Sequence, residues 1–203
     1  MKIACLLGSP RLEGNSATIA KQFIKTATNL GAKIRIFELN RLTYRDCQGC
    51  LTCKTKLDQC VLKDDLTEVL QAIKEVDAVL LSTPVYMGDI PGQVKSFIDR
   101  TYSFMVPDYI HRPANARSRV PSGKKGVLII TQGAPEGAFT EVGQRYQRVM
   151  RANMALTEVY LIHAGGVGPA GIVQKIPEKY LNQTEDAARA ILNPSSENVQ
   201  NNK

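Results

Sequence analysis

Four of the five cysteines fall within fourteen residues, spaced Cys47-x2-Cys50-x2-Cys53-x6-Cys60. Two Cys-x-x-Cys steps share Cys50, so three thiolates can converge from one tight loop while the fourth returns from a few residues on. Thiolates spaced this way suit [4Fe–4S] ligation of the ferredoxin type. The same four residues would satisfy a tetrahedral zinc, although structural zinc motifs more often use two separated pairs. Either Cys-x-x-Cys step could also cycle between dithiol and disulfide. Crowding of this kind points to metal or redox chemistry more than to structural disulfides. Lys54, Lys56 and Lys63 surround the cysteines and are expected to offset the charge of a thiolate cluster. Cys5 stands alone in an apolar run and reads as a buried small hydrophobe.

Three glycine-bearing loops carry a second kind of chemistry. The first is Gly8-Ser9-Pro10-Arg11-Leu12-Glu13-Gly14-Asn15-Ser16, ahead of a helical pattern. A helix start offers free amides and a positive dipole end, which suits a phosphate. Ser9, Asn15 and Ser16 add short donors, Arg11 adds charge, and the glycines allow close approach. An ordinary polar turn capped by Asn15 or Ser16 would read the same way. The loop has neither the Gly-x-Gly-x-x-Gly dinucleotide fingerprint nor the Gly-Lys-Ser/Thr of a P-loop. The second loop, Pro84-Val85-Tyr86-Met87-Gly88, sets large apolar side chains and backbone amides where a flat ring could rest. The third opens with Thr131-Gln132-Gly133.

These loops need a frame. Apolar runs at residues 2–7, 33–39, 77–83, 125–131 and 156–163 alternate with helical patterns at 15–30, 65–75, 91–104, 139–154 and 184–192. Asp65 with Glu68 three residues on has the form of a capping box. Strands alternating with helices imply right-handed crossovers and a parallel sheet covered on both faces. Five strands and five helices fit an α/β, flavodoxin-like, doubly wound five-stranded parallel sheet with helices on both faces. The expected organisation is a single flavodoxin-like domain over 1–192, with a cysteine-rich insertion at about 41–63, and a flexible polar tail at 193–203. The three loops then follow strands one, three and four at the carboxyl edge. That is the arrangement for a mononucleotide with a planar ring system.

Composition narrows the classes. The chain has 203 residues and a formal net charge of +7. The densest cationic stretch, Arg112 to Lys125, has one aromatic nearby, Tyr109, and no helical stripe, so it reads as a solvated loop rather than a nucleic-acid surface. No apolar run approaches the roughly 20 residues of a membrane span. The first residues read as a strand rather than a signal peptide, which gives a cytoplasmic expectation. His111 and His163 have no metal-ligand spacing and read as surface or core residues. Asp99 and Arg100 are expected to pair at a helix end.

In combination, Gly-Ser-Pro-Arg-x-x-Gly-Asn-Ser at 8–16, Ser-Thr-Pro-Val-Tyr-Met-Gly at 82–88 and Gly-Gln-Val-Lys-Ser-Phe-Ile-Asp-Arg-Thr at 92–101 resemble the NADPH-dependent FMN reductase family. More narrowly, with the cysteines, they resemble its iron–sulfur flavoprotein branch. The likeness runs from Met1 to about Leu192. The resemblance implies that Ser9, Arg11, Asn15 and Ser16 hold the FMN phosphate. It implies that Pro84, Val85, Tyr86, Met87 and Gly88, with Thr131, Gln132 and Gly133, hold the isoalloxazine. Many family members carry Trp where this chain has Met87. It further implies a [4Fe–4S] cluster on Cys47, Cys50, Cys53 and Cys60, and a homodimer or homotetramer. The expected activity is an FMN-dependent oxidoreductase fed by NAD(P)H or a ferredoxin and passing electrons to a quinone, a flavin or a protein, with no catalytic side chain required. The rival readings are a flavodoxin-like carrier and a basic binding module; the charge of +7 weighs against the carrier, because flavodoxins are strongly acidic.

Overall fold

The chain is seen here as a computed structural model that describes residues 1–168 and 176–193. Five strands form one sheet: β1 (Lys2–Leu7), β2 (Lys33–Glu38), β3 (Ala78–Pro84), β4 (Lys124–Thr131) and β5 (Leu156–Ala164), in the order β2-β1-β3-β4-β5. Every neighbouring pair is parallel. The helices are α1 (Asn15–Asn29), α2 (Thr52–Thr55), α3 (Leu66–Glu75), α4 (Gly92–Arg100), α5 (Thr140–Asn153) and α6 (Glu178–Leu192).

The strand sequences explain the layering. β1, β3 and β4 are buried along nearly their whole length, as a sheet covered on both faces requires. One apolar cluster joins Leu6, Leu81 and Leu128 to Val69, Ile73, Phe97 and Met150 from α3, α4 and α5. The other joins Ile3, Cys5, Leu80 and Ile129 to Ile19, Phe23, Tyr180 and Ile191 from α1 and α6. Cys5 is wholly buried there, and burial pushes its thiol up to about 12.

Several boundaries differ from the sequence expectation. α6 starts at Glu178 rather than at 184, because Tyr180 anchors its first turn by burial and by its hydroxyl on the Gly165 amide. α4 stops at Arg100 and continues as a 3₁₀ turn over Thr101–Phe104. The capping box does not form at Asp65. Asp65 is itself helical, with no side-chain cap bond, and its carboxylate accepts the Thr43 amide. Asp64 caps instead, accepting the Leu66 amide at 3.2 Å. The cationic stretch is less solvated than expected: Lys124 is buried and donates to the Lys74 and Val76 carbonyls that close α3. Apart from Asn193, the polar tail lies outside the described residues.

Candidate functional site

The carboxyl ends of β1, β3 and β4 are zipped together by backbone hydrogen bonds. The Gly8 amide donates to the Ser82 carbonyl at 2.7 Å, the Val85 amide to Thr131 at 2.8 Å, and the Gln132 amide to Ala164 at 2.9 Å. The three loops after these strands therefore start from one edge with fixed spacing. Gly8 is required by that closeness, since a Cβ there would lie 2.4 Å from Val94 Cγ2 and 3.1 Å from the Ser82 carbonyl.

The first loop turns tightly into α1. The Arg11 amide donates to Ser9 Oγ at 3.1 Å and the Gly14 amide to the Arg11 carbonyl at 3.1 Å. Gly14 is the N-cap, and no side chain caps the helix. The first intrahelical donor is Thr18, so the amides of Asn15, Ser16 and Ala17 head the helix without helical acceptors. Ser9 and Ser16 are buried in this cradle and Arg11 is exposed beside it. Asn15 sits differently from a simple phosphate donor. Its Nδ2 donates to the Val167 carbonyl, and its Oδ1 is buried without a partner among the described residues. An uncapped helix start in a tight serine-bearing turn fits a phosphate monoester, with Asn15 tying the loop to residues after β5.

The second loop is a two-residue turn. Tyr86 and Asp89 exchange both backbone hydrogen bonds, at 2.7 and 3.1 Å, and Met87 and Gly88 sit at φ 49° and 80°. This is the primed turn geometry, which favours glycine and penalises Met87. The Met87 side chain is fully exposed and Tyr86 is 39% exposed, which leaves a bare apolar shelf above the sheet edge. Asp89 holds the turn through an ion pair with Arg145 at 3.0 Å, and the Phe139 ring backs Gly88.

The third loop uses Gln132 as an internal brace. Its side chain is buried and donates to the Pro135 and Ala138 carbonyls at 3.0 and 2.7 Å. Its Oε1 meets His163 Nε2 at 2.8 Å. Burial lowers the His163 pKa, partly offset by Glu141, so the ring is neutral at neutral pH and donates its Nε2 proton to Gln132. What the loop offers outward is backbone around the exposed Gly133. The bland sequence reading of His163 overlooked this bond; the signal was a histidine at a strand end beside a glutamine-bearing loop.

The cysteine segment forms a second site. Gly49 and Leu51 both adopt positive φ, 61° and 54°, and coil the chain between Cys47 and the short helix α2 that carries Cys53. Cys47, Cys50, Cys53 and Cys60 line one small, partly open cavity of about 30 Å³ with Leu51, Val61, Leu62, Arg100 and Tyr102. All four thiols are free. No three His, Cys, Asp or Glu among the described residues converge closely enough to hold a single metal ion. Zinc would need its thiolates about 2.3 Å from one point. A cubane attaches each thiolate to a different iron, so it asks for four thiols around one hollow rather than four aimed at one point.

Three cations back this cavity, and only one of them was expected. Lys54 lies over the Tyr102 ring, 3.9 Å from its centre, and donates to the Tyr102 and Met105 carbonyls. Arg119 reaches the Cys53 carbonyl at 3.0 Å. Arg100 does not pair with Asp99, which takes Lys95 instead. It forms a bidentate pair with Asp64 at 2.8 and 3.1 Å. Lys56 and Lys63 are exposed. Burial raises the Cys53 thiol and lowers Lys54, with each partly offsetting the other's shift.

A five-stranded parallel sheet in this order, with three glycine-bearing loops on its carboxyl edge, defines a flavodoxin-like α/β fold. More narrowly, the chain belongs to the NADPH-dependent FMN reductase family, whose sequence profile matches residues 1–166. It is 36% identical over 152 residues to an iron-sulfur flavoprotein of Archaeoglobus fulgidus, a match covering 75% of this chain and 63% of that relative. The chain spans just under two thirds of the length of its first curated relatives. In fold it is similar to a Bacillus anthracis FMN-dependent NADH-azoreductase in complex with FMN, with TM-score 0.71 at 16% identity, covering 95% of this chain and 100% of that one. It is also similar to an NAD(P)H:quinone oxidoreductase from Methanothermobacter marburgensis, with TM-score 0.67 at 18% identity, covering 96% of each chain. Among the described residues, no helix is long and apolar enough to cross a membrane.

Proposed function

We propose that the chain is an FMN-dependent oxidoreductase that takes electrons from NAD(P)H or a ferredoxin and passes them to a quinone, a flavin or a protein. The observation that carries this reading is the sheet edge, where three loops are locked in register by the Gly8, Val85 and Gln132 amides. Ser9, Arg11, Ser16 and the amides heading α1 receive the phosphate, and Asn15 fixes the loop they belong to. Pro84, Val85, Tyr86, Met87 and Gly88 form the shelf for the isoalloxazine, and Thr131, Gln132 and Gly133 border it through backbone. Bound FMN supplies hydride and single-electron chemistry, so the protein need only hold, orient and tune it. Met87 and Tyr86 leave one side of the shelf bare, which suits access of a nicotinamide or quinone, or cover by another subunit in a homodimer or homotetramer.

Cys47, Cys50, Cys53 and Cys60 hold a [4Fe–4S] cluster in this reading. Four thiols on one cavity and three cations behind it support that assignment, since the negative charge of a thiolate-ligated cluster is offset by cations beside it. The relatives named iron-sulfur flavoproteins favour it as well. A reducing, cytoplasmic setting would keep these thiols available for the cluster.

A steady-state assay tests the activity: protein loaded with FMN should oxidise NADH or NADPH when a quinone is supplied. No turnover of quinone or flavin with NADH, NADPH or a reduced ferredoxin, while the bound flavin still exchanges electrons with protein partners, would replace the reductase by an electron carrier. For the cluster, anaerobic reconstitution should give close to four irons per chain, the inventory of a [4Fe–4S] centre. Cys50→Ala should lose that iron and retain FMN, because the flavin loops belong to other segments. Full FMN with no iron in wild type contradicts the cluster.

A further inference from the structure

We propose that Arg100 donates its Nε–H to the Cys60 sulfur of the loaded cysteine site and thereby fixes retention and potential of the cluster. The inference rests on the cluster reading above and adds a positioning residue outside the cysteines.

Arg100 is 1% exposed, and the guanidinium has five donors in a rigid plane. Nη1 donates to Asp64 Oδ2 and to the Arg45 carbonyl, both at 2.8 Å. Nη2 donates to Asp64 Oδ1 at 3.1 Å and to the Leu62 carbonyl at 3.4 Å. Nε is buried and has no hydrogen-bond partner among the described residues. A charged donor left unpaired inside a protein is costly, so a site this well braced implies an acceptor for the last proton. Because Asp64 grips the outer fork, the direction of Nε is fixed by the plane.

Arg100 and Cys60 both line the cysteine cavity. Cys60 is also the thiol that packs partly buried against the main core, whereas Cys47 and Cys50 are exposed. Burial works against the Arg100 charge, but the hydrogen-bonded Asp64 carboxylate outweighs it and holds the guanidinium charged. Hydrogen bonds to ligand sulfur stabilise the more negative, reduced cluster and raise its potential. Partners that orient a ligand also slow its loss.

The test uses anaerobically reconstituted holoprotein. Arg100→Lys keeps a cation that can reach Asp64 and removes the Nε donor. The expected result is a lower cluster midpoint potential in an EPR-monitored titration, iron loss to a chelator faster by roughly 10-fold, and an unchanged flavin midpoint. A purely structural Arg100 would lower the unfolding midpoint and leave the cluster potential in place, which overturns the inference. Wild type that takes up no iron overturns the cluster reading and this inference together; normally loaded wild type with an unshifted Arg100→Lys overturns this inference alone. If Arg100→Lys does not fold, pulsed EPR of the reduced cluster in protein labelled with arginine ¹⁵N at Nε decides. A coupling that survives in Arg119→Lys supports the assignment, and a coupling absent or lost there overturns it.

Discussion

At the scale of single residues, the site depends on a few positions with no spare room. Gly8→Ala drives a Cβ to within 2.4 Å of Val94 Cγ2. Overpacking of this kind costs about 1–3 kcal/mol. Denaturant unfolding should show that loss, and Gly8→Ala/Val94→Ala should recover part of it. Asn15→Ala removes the bond to Val167 and frees the phosphate loop from the segment after β5. Losing about 1 kcal/mol there should weaken FMN binding roughly fivefold in a fluorescence titration. His163 gives a pH signature. Burial holds its folded pKa below the ordinary 6.5, so the unfolded chain binds the proton more readily as pH falls. The contribution is present above the ordinary histidine range and is lost as pH drops through it. Unfolding midpoints at about pH 7.5 and about pH 5.5 should differ less in His163→Gln than in wild type. The tight turn into a helix at 8–16 was legible in the sequence, because glycines and short polar residues ahead of an apolar helical period mark a helix start. The roles of Asn15 and Gln132 were not: both side chains turn inward to brace loops, and a partner more than thirty residues away, such as His163 or Val167, leaves no local pattern.

At the scale of elements, the junction of α3, α4 and the cysteine segment is the point of greatest leverage. Asp64 caps α3, pairs with Arg100 and accepts the Arg45 amide. Burial alone would raise its carboxyl, but the hydrogen bonds from Arg100, Arg45 and Leu66 outweigh burial and hold the pKa below the ordinary value of 3.8. Its stabilising contribution is therefore present above that value and is lost as pH falls below it. Asp64→Ala strands the Arg100 cation and should cost about 3–5 kcal/mol, read as a lower denaturant midpoint. Loosening of the cysteine loop should follow, seen as faster hydrogen exchange over residues 45–62. The sequence pointed to the neighbouring Asp65, because a capping box is a local pattern while the Asp64–Arg100 pair joins residues thirty-six apart. Arg100 did carry a signal: a cation within two turns of the buried Val94, Phe97 and Ile98 must find a partner inside.

At the scale of the whole molecule, the strand order and the placement of three loops on one edge followed from alternation of apolar runs with helical patterns. Right-handed crossovers leave few other ways to wind such a chain. The buried strands β1, β3 and β4 were the clearest, since a continuous apolar run has no other place to go. The segment at 105–123 was less legible. It holds two short 3₁₀ turns and a bridge between Met105 and Ser118, fixed by Arg119 on the Ser103 and Met105 carbonyls rather than by any periodic pattern. The same arginine touches the Cys53 carbonyl, so this segment braces the cysteine site as well as covering the sheet.

The central claim is that one sheet edge holds FMN while a separate cysteine cavity holds a cluster. The visible spectrum of protein purified without oxygen tests it most directly, recorded before and after NADPH and compared with Cys50→Ala. The account predicts flavin bands superimposed on broad cluster absorbance in wild type, bleaching of the flavin bands by NADPH or by a reduced ferredoxin, and flavin bands alone in Cys50→Ala. Protein that shows no flavin bands even after incubation with FMN would contradict it.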